Sequence, residues 1–154
     1  MPTSVVCLCV QKRTHALVPK RHKLLRWLRA ALCSRVKMAE ITLRFVDLDE
    51  SQTLNTQYRG KAYPTNILSF NLRDTETDPE HLWGDLVLCS PIVIQEAQQQ
   101  HKSIEAHYAH LCVHGMLHLQ GFDHIDDDAR LPMEALEIRI LARMGYANPY
   151  LCHT

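Results

Sequence analysis

The segment from His110 to His124, which reads HLCVHGMLHLQGFDH, constrains the fold more than any other part of the chain. Its histidines His114, His118 and His124 follow the pattern H-x-x-x-H-x-x-G-x-x-H. Residues four apart lie on one face of a helix, so His114 and His118 are expected to direct both rings toward one point. Gly121 is expected to end this helix, because glycine takes the left-handed conformation without a Cβ penalty. The turn would then bring His124 back as a third ligand.

Three histidines at this spacing predict a metal site rather than ordinary buried side chains. Three neutral imidazoles with one open position are typical of catalytic zinc, although nickel, cobalt or manganese would also fit. The spacing matches the zincin signature H-E-x-x-H-x-x-G-x-x-H of one group of metalloproteases. Gly115 stands where those proteases carry the glutamate general base. A metallopeptidase is therefore disfavoured, and the proton acceptor is expected to come from elsewhere.

Several neighbours of the motif have two readings. His107 and His110 extend the histidine stripe, and packing is favoured over a role as a fourth ligand. Asp123 adjoins the third ligand and either holds an imidazole in the right tautomer or caps the next helix. Ser69 either lines a substrate groove or faces solvent and backbone.

Composition favours one globular domain, residues 1–154, and 46% hydrophobic residues suffice for a core. No stretch approaches the roughly 20 apolar residues of a membrane span, and the N-terminal charges follow the apolar run, the reverse of a signal peptide. The cysteines are expected to be small buried hydrophobes in a reducing compartment. Cys7 and Cys9 share one face of a strand, where simple core alternation is favoured over binding of a soft metal. The six cysteines are Cys7, Cys9, Cys33, Cys89, Cys112 and Cys152.

Charge is unevenly distributed although the net charge is zero. The range from Gln11 to Lys37 has no acidic residue and carries nine of the 17 lysines and arginines. Such a run indicates either a patch that faces a polyanion such as RNA or a solvated helix face. The residues of this candidate basic patch are Lys20, Arg21, Lys23, Arg26 and Arg29.

The order of elements predicts an α+β fold of zincin-like type, with a mixed sheet of about four strands. Alternating or β-branched apolar runs predict strands at 4–10, 40–46, 65–70 and 85–89. Helices are predicted from Pro19, up to Gly60, from Pro91, from Ser103 and from 126 to Gly145. Residues 71–80 are expected to form a loop or lid, and the histidine helix is expected to be central and buried.

Four stretches, LNTQYRGKAYPTNILSF, GDLVLC, HLCVHGMLHLQGFDH and MEALE, together resemble the YbeY family of bacterial metal-dependent endoribonucleases. The likeness covers nearly the whole chain in order. It implies one zinc ion at His114, His118 and His124, with Arg59 and His114 important for catalysis. Many members carry aspartate at the position of Asn66, which implies a change in one hydrogen bond beside the site or the substrate groove.

The resemblance also implies single-stranded RNA as substrate and a cytoplasmic, ribosome-associated role. That role is maturation of the 3′ end of 16S rRNA and late quality control of the 70S ribosome. From sequence alone, Arg59 reads as a surface residue near a helix C-terminus; the resemblance makes it a bidentate phosphate clamp instead. The alternative function is a ribosome-associated metal-binding module without nuclease activity of its own.

Overall fold

The computed structural model describes residues 4–72, 78–122 and 127–151. The strands are β1 (Val5–Lys12), β2 (Met38–Val46), β3 (Ile67–Asn71) and β4 (His81–Cys89). The helices are α1 (Arg21–Ala30), α2 (Leu48–Arg59), α3 (Ser90–Gln99), α4 (Ile104–Leu119) and α5 (Asp127–Arg143). The predicted α+β class and the mixed four-stranded sheet are confirmed.

The strands are arranged in the order β1-β2-β4-β3. β1, β2 and β4 are parallel, whereas β3 is antiparallel to β4 and forms one edge of the sheet. β4 begins at His81, earlier than the predicted 85–89, because its first residues pair with β2 from Met38 onward. Asn71 likewise belongs to β3 rather than to the predicted loop at 71–80, of which residues 73–77 lie outside the described ranges.

Glycines let α4 approach the sheet closely. A Cβ atom on Gly84 of β4 would lie 2.5 Å from Cδ1 of Leu119. A Cβ atom on Gly115 of α4 would lie 2.8 Å from Cδ2 of Leu86 and 2.9 Å from Cδ1 of Ile67. The helix surface around Gly115 therefore faces β3 and β4.

The prediction of buried cysteines is wrong for Cys7 and Cys9, which are exposed. They alternate along β1 with the buried side chains of Val6 and Leu8, so they point to the opposite face of the sheet. Cys33 is partly buried, and Cys89 and Cys112 are buried as predicted. Cys152 lies outside the described ranges.

None of the helices in the described part of the chain combines the length and the apolar character needed to cross a bilayer.

Candidate active site

Helix α4 carries the predicted histidine stripe through the interior. It begins after Ser103, whose Oγ accepts a hydrogen bond of 3.0 Å from the backbone N–H of Ala106, as an N-cap does. Ten of its 16 residues are buried, and it contacts the sheet together with α1, α3 and α5. The predicted central position of this helix follows from that burial.

The end of α4 has the predicted left-handed glycine. Gly121 has φ 101°, and its N–H donates to the carbonyl of His118 at 3.1 Å. The N–H of Phe122 donates to the carbonyl of Leu117 at 3.1 Å, which completes a Schellman motif. The turn directs the carbonyl oxygen of Phe122 back toward the helix, where Nδ1 of His118 lies 3.2 Å from it.

His114 is held by a buried carboxylate from another helix. Its Nδ1 lies 2.5 Å from Oε1 of Glu137 in α5, and the Glu137 side chain is 0% exposed. Oε2 of Glu137 lies 3.2 Å from Nε2 of His110 and accepts a hydrogen bond from the hydroxyl of Tyr150. One carboxylate therefore connects two histidines of α4 with the C-terminal segment.

Glu137 is ionised in this network. Burial alone would raise the pKa of Glu137, but hydrogen bonds with His110, His114 and Tyr150 outweigh it and lower that pKa to about 2. Burial lowers the pKa of His110, with Glu137 acting in the opposite direction. Burial and then Glu137 raise the pKa of Tyr150, so its hydroxyl stays protonated and donates. An ionised Glu137 can only accept, so His114 carries its proton on Nδ1.

These contacts fit a metal ion bound through the other nitrogens. Both His114 and His118 direct Nδ1 at a protein acceptor, so a metal would bind Nε2 of each ring. Carboxylate and carbonyl acceptors of this kind fix the tautomer of zinc-binding histidines. His124 and Asp123 lie outside the described ranges, so the third ligand and the role of Asp123 stay predictions. The described residues alone contain no cluster of three histidines, cysteines or acids close enough to hold a metal.

Position 115 cannot supply a base at this site. A side chain there would enter the apolar contact between α4 and the sheet, against Leu86 and Ile67. A glutamate at this position would thus be buried among aliphatic groups. Close packing therefore explains why glycine and not glutamate stands at position 115. The absence of a base there argues against a metallopeptidase.

Glu96 of α3 is a second carboxylate that contacts a histidine of α4, and it binds both His107 and Asn66. Nε2 of His107, a side chain only 3% exposed, lies 2.9 Å from Oε1 of Glu96. The amide of Asn66 donates to the same oxygen at 3.0 Å. Burial would raise the pKa of Glu96, but the hydrogen bonds from His107 and Asn66 together lower it. His107 thus makes a packing and hydrogen-bond contact within the fold, and the prediction that it is not a ligand stays a prediction.

A cleft of about 550 Å³ opens beside this pair. It adjoins the N-terminal half of α4 and reaches the Tyr150 side of the Glu137 network. Its polar lining includes Asn66, Glu96, Lys102, His107, His110 and Tyr150. Several convergent polar groups in one concave surface are typical of a binding site.

Ser69 and Arg59 lie around the edge strand. Ser69 shares one face of β3 with Ile67 and Asn71. Ile67 contacts Gly115 of α4, and the amide of Asn71 donates to the carbonyl of Leu119 at 2.7 Å. It therefore lies on the face of β3 that contacts α4. Arg59 is the exposed last residue of α2, and within the described ranges its guanidinium has no hydrogen bond or ion pair. This is the surface position near a helix C-terminus that sequence alone favours.

The candidate basic patch is partly used within the fold. The guanidinium of Arg21 donates to the carbonyl of Leu8 at 2.6 Å, and that of Arg26 donates to the carbonyl of Met144 at 2.9 Å. Lys23 forms an ion pair with Glu105. Lys20 and Arg29 are exposed and make no such contact within the described ranges.

Glu137 is the residue that the sequence reasoning missed. MEALE, which contains it, entered only as part of the family likeness. Its signal is a carboxylate inside an apolar helical stripe, four residues after Met133 and three before Ile140. A charged residue at a buried position is rarely present without a partner.

Comparisons with known proteins agree with the family likeness. The sequence profile of the family Endoribonuclease YbeY matches residues 10–145. An Endoribonuclease YbeY of Paraburkholderia phymatum is 50% identical over 135 residues, which are 88% of this chain and 84% of that protein. One of Cupriavidus necator is 49% identical over 133 residues, which are 86% of this chain and 65% of that protein.

The fold has a structural counterpart in the solution structure of a Thermotoga maritima protein. The TM-score is 0.56 at 22% identity, over 90% of this chain and 91% of the other. This likeness supports the α+β fold alone. The sequence matches define an enzyme of the hydrolase class that cuts RNA internally. The chain belongs to the endoribonuclease YbeY family.

Proposed function

We propose that the chain, as a single domain, is a zinc-dependent endoribonuclease specific for single-stranded RNA. Its proposed role is cytoplasmic: maturation of the 3′ end of 16S rRNA and late quality control of the 70S ribosome. The family likeness supports the ribosomal role, and the exposed Lys20 and Arg29 are suited to an RNA partner. The observation that carries the catalytic part is the pair of oriented rings, His114 on Glu137 and His118 on the carbonyl of Phe122.

In this proposal His114, His118 and His124 hold one zinc ion. When bound, zinc supplies Lewis-acid catalysis and makes a water molecule more acidic. Glu137 keeps the proton of His114 on Nδ1, so that ring keeps one orientation. Because its pKa is about 2, Glu137 is a poor proton acceptor near neutral pH and acts by positioning.

Arg59 would bind the scissile or a neighbouring phosphate. Its exposed guanidinium has no protein acceptor within the described ranges, so a phosphate does not have to displace one. The planar guanidinium matches two phosphate oxygens at once. Ser69, on the α4 side of the edge strand, can donate a hydrogen bond to the same backbone. Asn66 would act further out, by orienting Glu96 in the cleft wall.

The test combines metal content by mass spectrometry with cleavage of a labelled single-stranded fragment of precursor 16S rRNA and of its duplex. We expect about one zinc per chain and cleavage of the single strand only. His118→Ala should lose both metal and cleavage, whereas the exposed control His22→Ala should keep both. Arg59→Ala should keep the metal and lose about 10²–10³-fold in kcat/KM, as when one transition-state contact is removed; Arg139→Ala, also exposed, serves as its control.

Full zinc occupancy without cleavage of any RNA would contradict the nuclease. It would favour the ribosome-associated metal-binding module. Full activity of Arg59→Ala would remove Arg59 from the proposed mechanism and leave the metal site unaffected.

A further inference from the structure

The last turn of α2 and the loop after it expose two aromatic and two cationic side chains. Residues 58–63 read YRGKAY, and this stretch is named the YRGKAY segment below. The side chains of Tyr58 and Tyr63 are 65% and 53% exposed. Arg59 and Lys61 are exposed too, and within the described ranges neither has a hydrogen bond or an ion pair from its side chain. Neither their exposure nor their charge is explained by packing within the described fold.

Hydrogen bonds to α2 hold the segment in one shape. Gly60 takes a left-handed conformation, φ 68°, and turns the chain back along the helix. The buried Asn55 then donates from its side-chain amide to the carbonyl of Tyr63 at 2.8 Å, and its backbone carbonyl accepts from the N–H of Lys61 at 3.3 Å. Tyr63 is thus fixed beside Asn55, and Tyr58 is three residues further along α2, a rise of about 4.5 Å. Such preorganisation lowers the entropic cost of binding.

The segment lies at the edge strand that borders the histidine helix. The ring of Tyr58 contacts Phe70 of β3 edge-on, with 5.0 Å between ring centroids. Phe70 faces away from α4, while its neighbour Asn71 donates to the carbonyl of Leu119, the residue after His118. A flexible strand of RNA can therefore pass from the YRGKAY segment around the free edge of β3 to the histidines.

We propose that Tyr58 and Tyr63 are stacking platforms for two bases of single-stranded RNA, with Lys61 and Arg59 binding the adjoining phosphates. This inference rests on the proposed nuclease function and names a binding surface for its substrate. Every base has a π face, so stacking on aromatic side chains tolerates any sequence. In a duplex the bases already stack on one another, so the two tyrosines select single strands.

The test measures binding of the full-length, zinc-loaded protein to a fluorescent single-stranded DNA dodecamer and to its duplex. This probe presents bases and phosphates without being the RNA substrate. We expect Tyr58→Leu and Tyr63→Leu each to weaken single-strand binding about tenfold, and duplex binding less than twofold. Leucine at position 58 keeps an apolar contact with Phe70, and Tyr63 is exposed, so both leucine variants are expected to fold. Tyr58→Trp and Tyr63→Phe keep an aromatic ring and should bind as the wild-type protein does. Lys61→Ala should reduce the slope of log binding constant against log salt concentration by about one, as expected for the loss of one phosphate contact.

Steady-state cleavage of RNA provides the second readout. The leucine variants should raise KM and leave kcat within about twofold, because base stacking contributes equally to binding of the substrate and of the transition state. Single-strand binding equal to wild type in both variants, or equal losses for single strand and duplex, would overturn the stacking assignment. If the wild-type protein cleaves no RNA but the leucine variants still lose single-strand binding, the nuclease proposal fails and the stacking surface stands.

Discussion

Replacing Glu137 by glutamine removes the charge that orients His114 while keeping the side-chain volume. The carboxylate is fully buried and makes a hydrogen bond of 2.5 Å with Nδ1 of His114. A hydrogen bond to a charged group contributes about 1.5–3 kcal/mol, and a neutral one about 0.5–1.5 kcal/mol. The substitution therefore weakens the interaction that orients His114 by about 1–2 kcal/mol, which corresponds to a factor of about 5–30 in an equilibrium constant such as the zinc Kd. Loss of such outer partners lowers metal affinity about 10–100-fold, a range that overlaps this factor.

The assay is the zinc Kd, measured by competition with a chromophoric chelator at neutral pH, together with the His114 tautomer from nitrogen NMR. Glu96→Gln is the matched control, because Glu96 makes the same kind of contact with His107 on the same helix. We expect Glu137→Gln to weaken zinc binding at least fivefold and to populate the second tautomer of His114. Glu96→Gln should change the Kd less than twofold.

Two results would refute this reasoning. In the first, Glu137→Gln binds zinc as wild type does and keeps the Nδ1–H tautomer, so the carboxylate is only a packing element. In the second, Glu96→Gln weakens zinc as strongly as Glu137→Gln does, so the loss reflects general loosening of α4.

Four further predictions concern packing, pH and the helix end. Gly115→Glu should lower the free energy of unfolding in urea by more than about 3 kcal/mol, because it forces a carboxylate against Leu86; an unchanged midpoint would contradict the close contact. The pKa of Glu96 is lowered on folding, so its pairing stabilises the fold above the unfolded pKa and is lost as pH falls through the folded one. Glu96→Gln should therefore flatten the fall in urea midpoint between neutral and acidic pH, and an unchanged slope would show that Glu96 is not its source. Asn66→Asp should destabilise the fold near neutral pH, less so in acid, because two adjacent carboxylates cannot both ionise, and adding Glu96→Gln should reverse this. Gly60→Ala should cost about 1–2 kcal/mol in thermal unfolding and Gly60→Asn less, since φ is 68°.

Local periodicity carried most of what the sequence predicted about the fold. The helical spacing of His114 and His118 and the glycine turn at Gly121 depend on residues within one or two turns, and the structure has both features. Strand alternation also placed Cys7 and Cys9 on one face of β1. The expectation that this face is buried is wrong, because alternation shows which residues share a face and not which face the helices cover.

The contact of Glu137 with His114 is different in kind. It joins residues 23 apart in the chain, through the packing of α5 against α4. No local pattern gives that register. The charge at an otherwise apolar position shows that Glu137 needs a partner, but only the fold shows that the partner is a candidate ligand. His124 and Asp123 lie outside the described ranges, so their places in the site rest on the motif alone.

The different contacts of the residues in this motif explain how a protease-like spacing occurs in a ribonuclease family. His114 and His118 are held from the outside, by Glu137 and by the carbonyl of Phe122. Gly115 lies on the sheet side, where close packing leaves room for hydrogen alone. The spacing needed to bind a metal and the small residue needed to pack the helix are thus met by different residues of one motif. A proton acceptor for RNA cleavage must therefore approach from outside the sheet contact, on the side where the cleft and the edge of β3 are open.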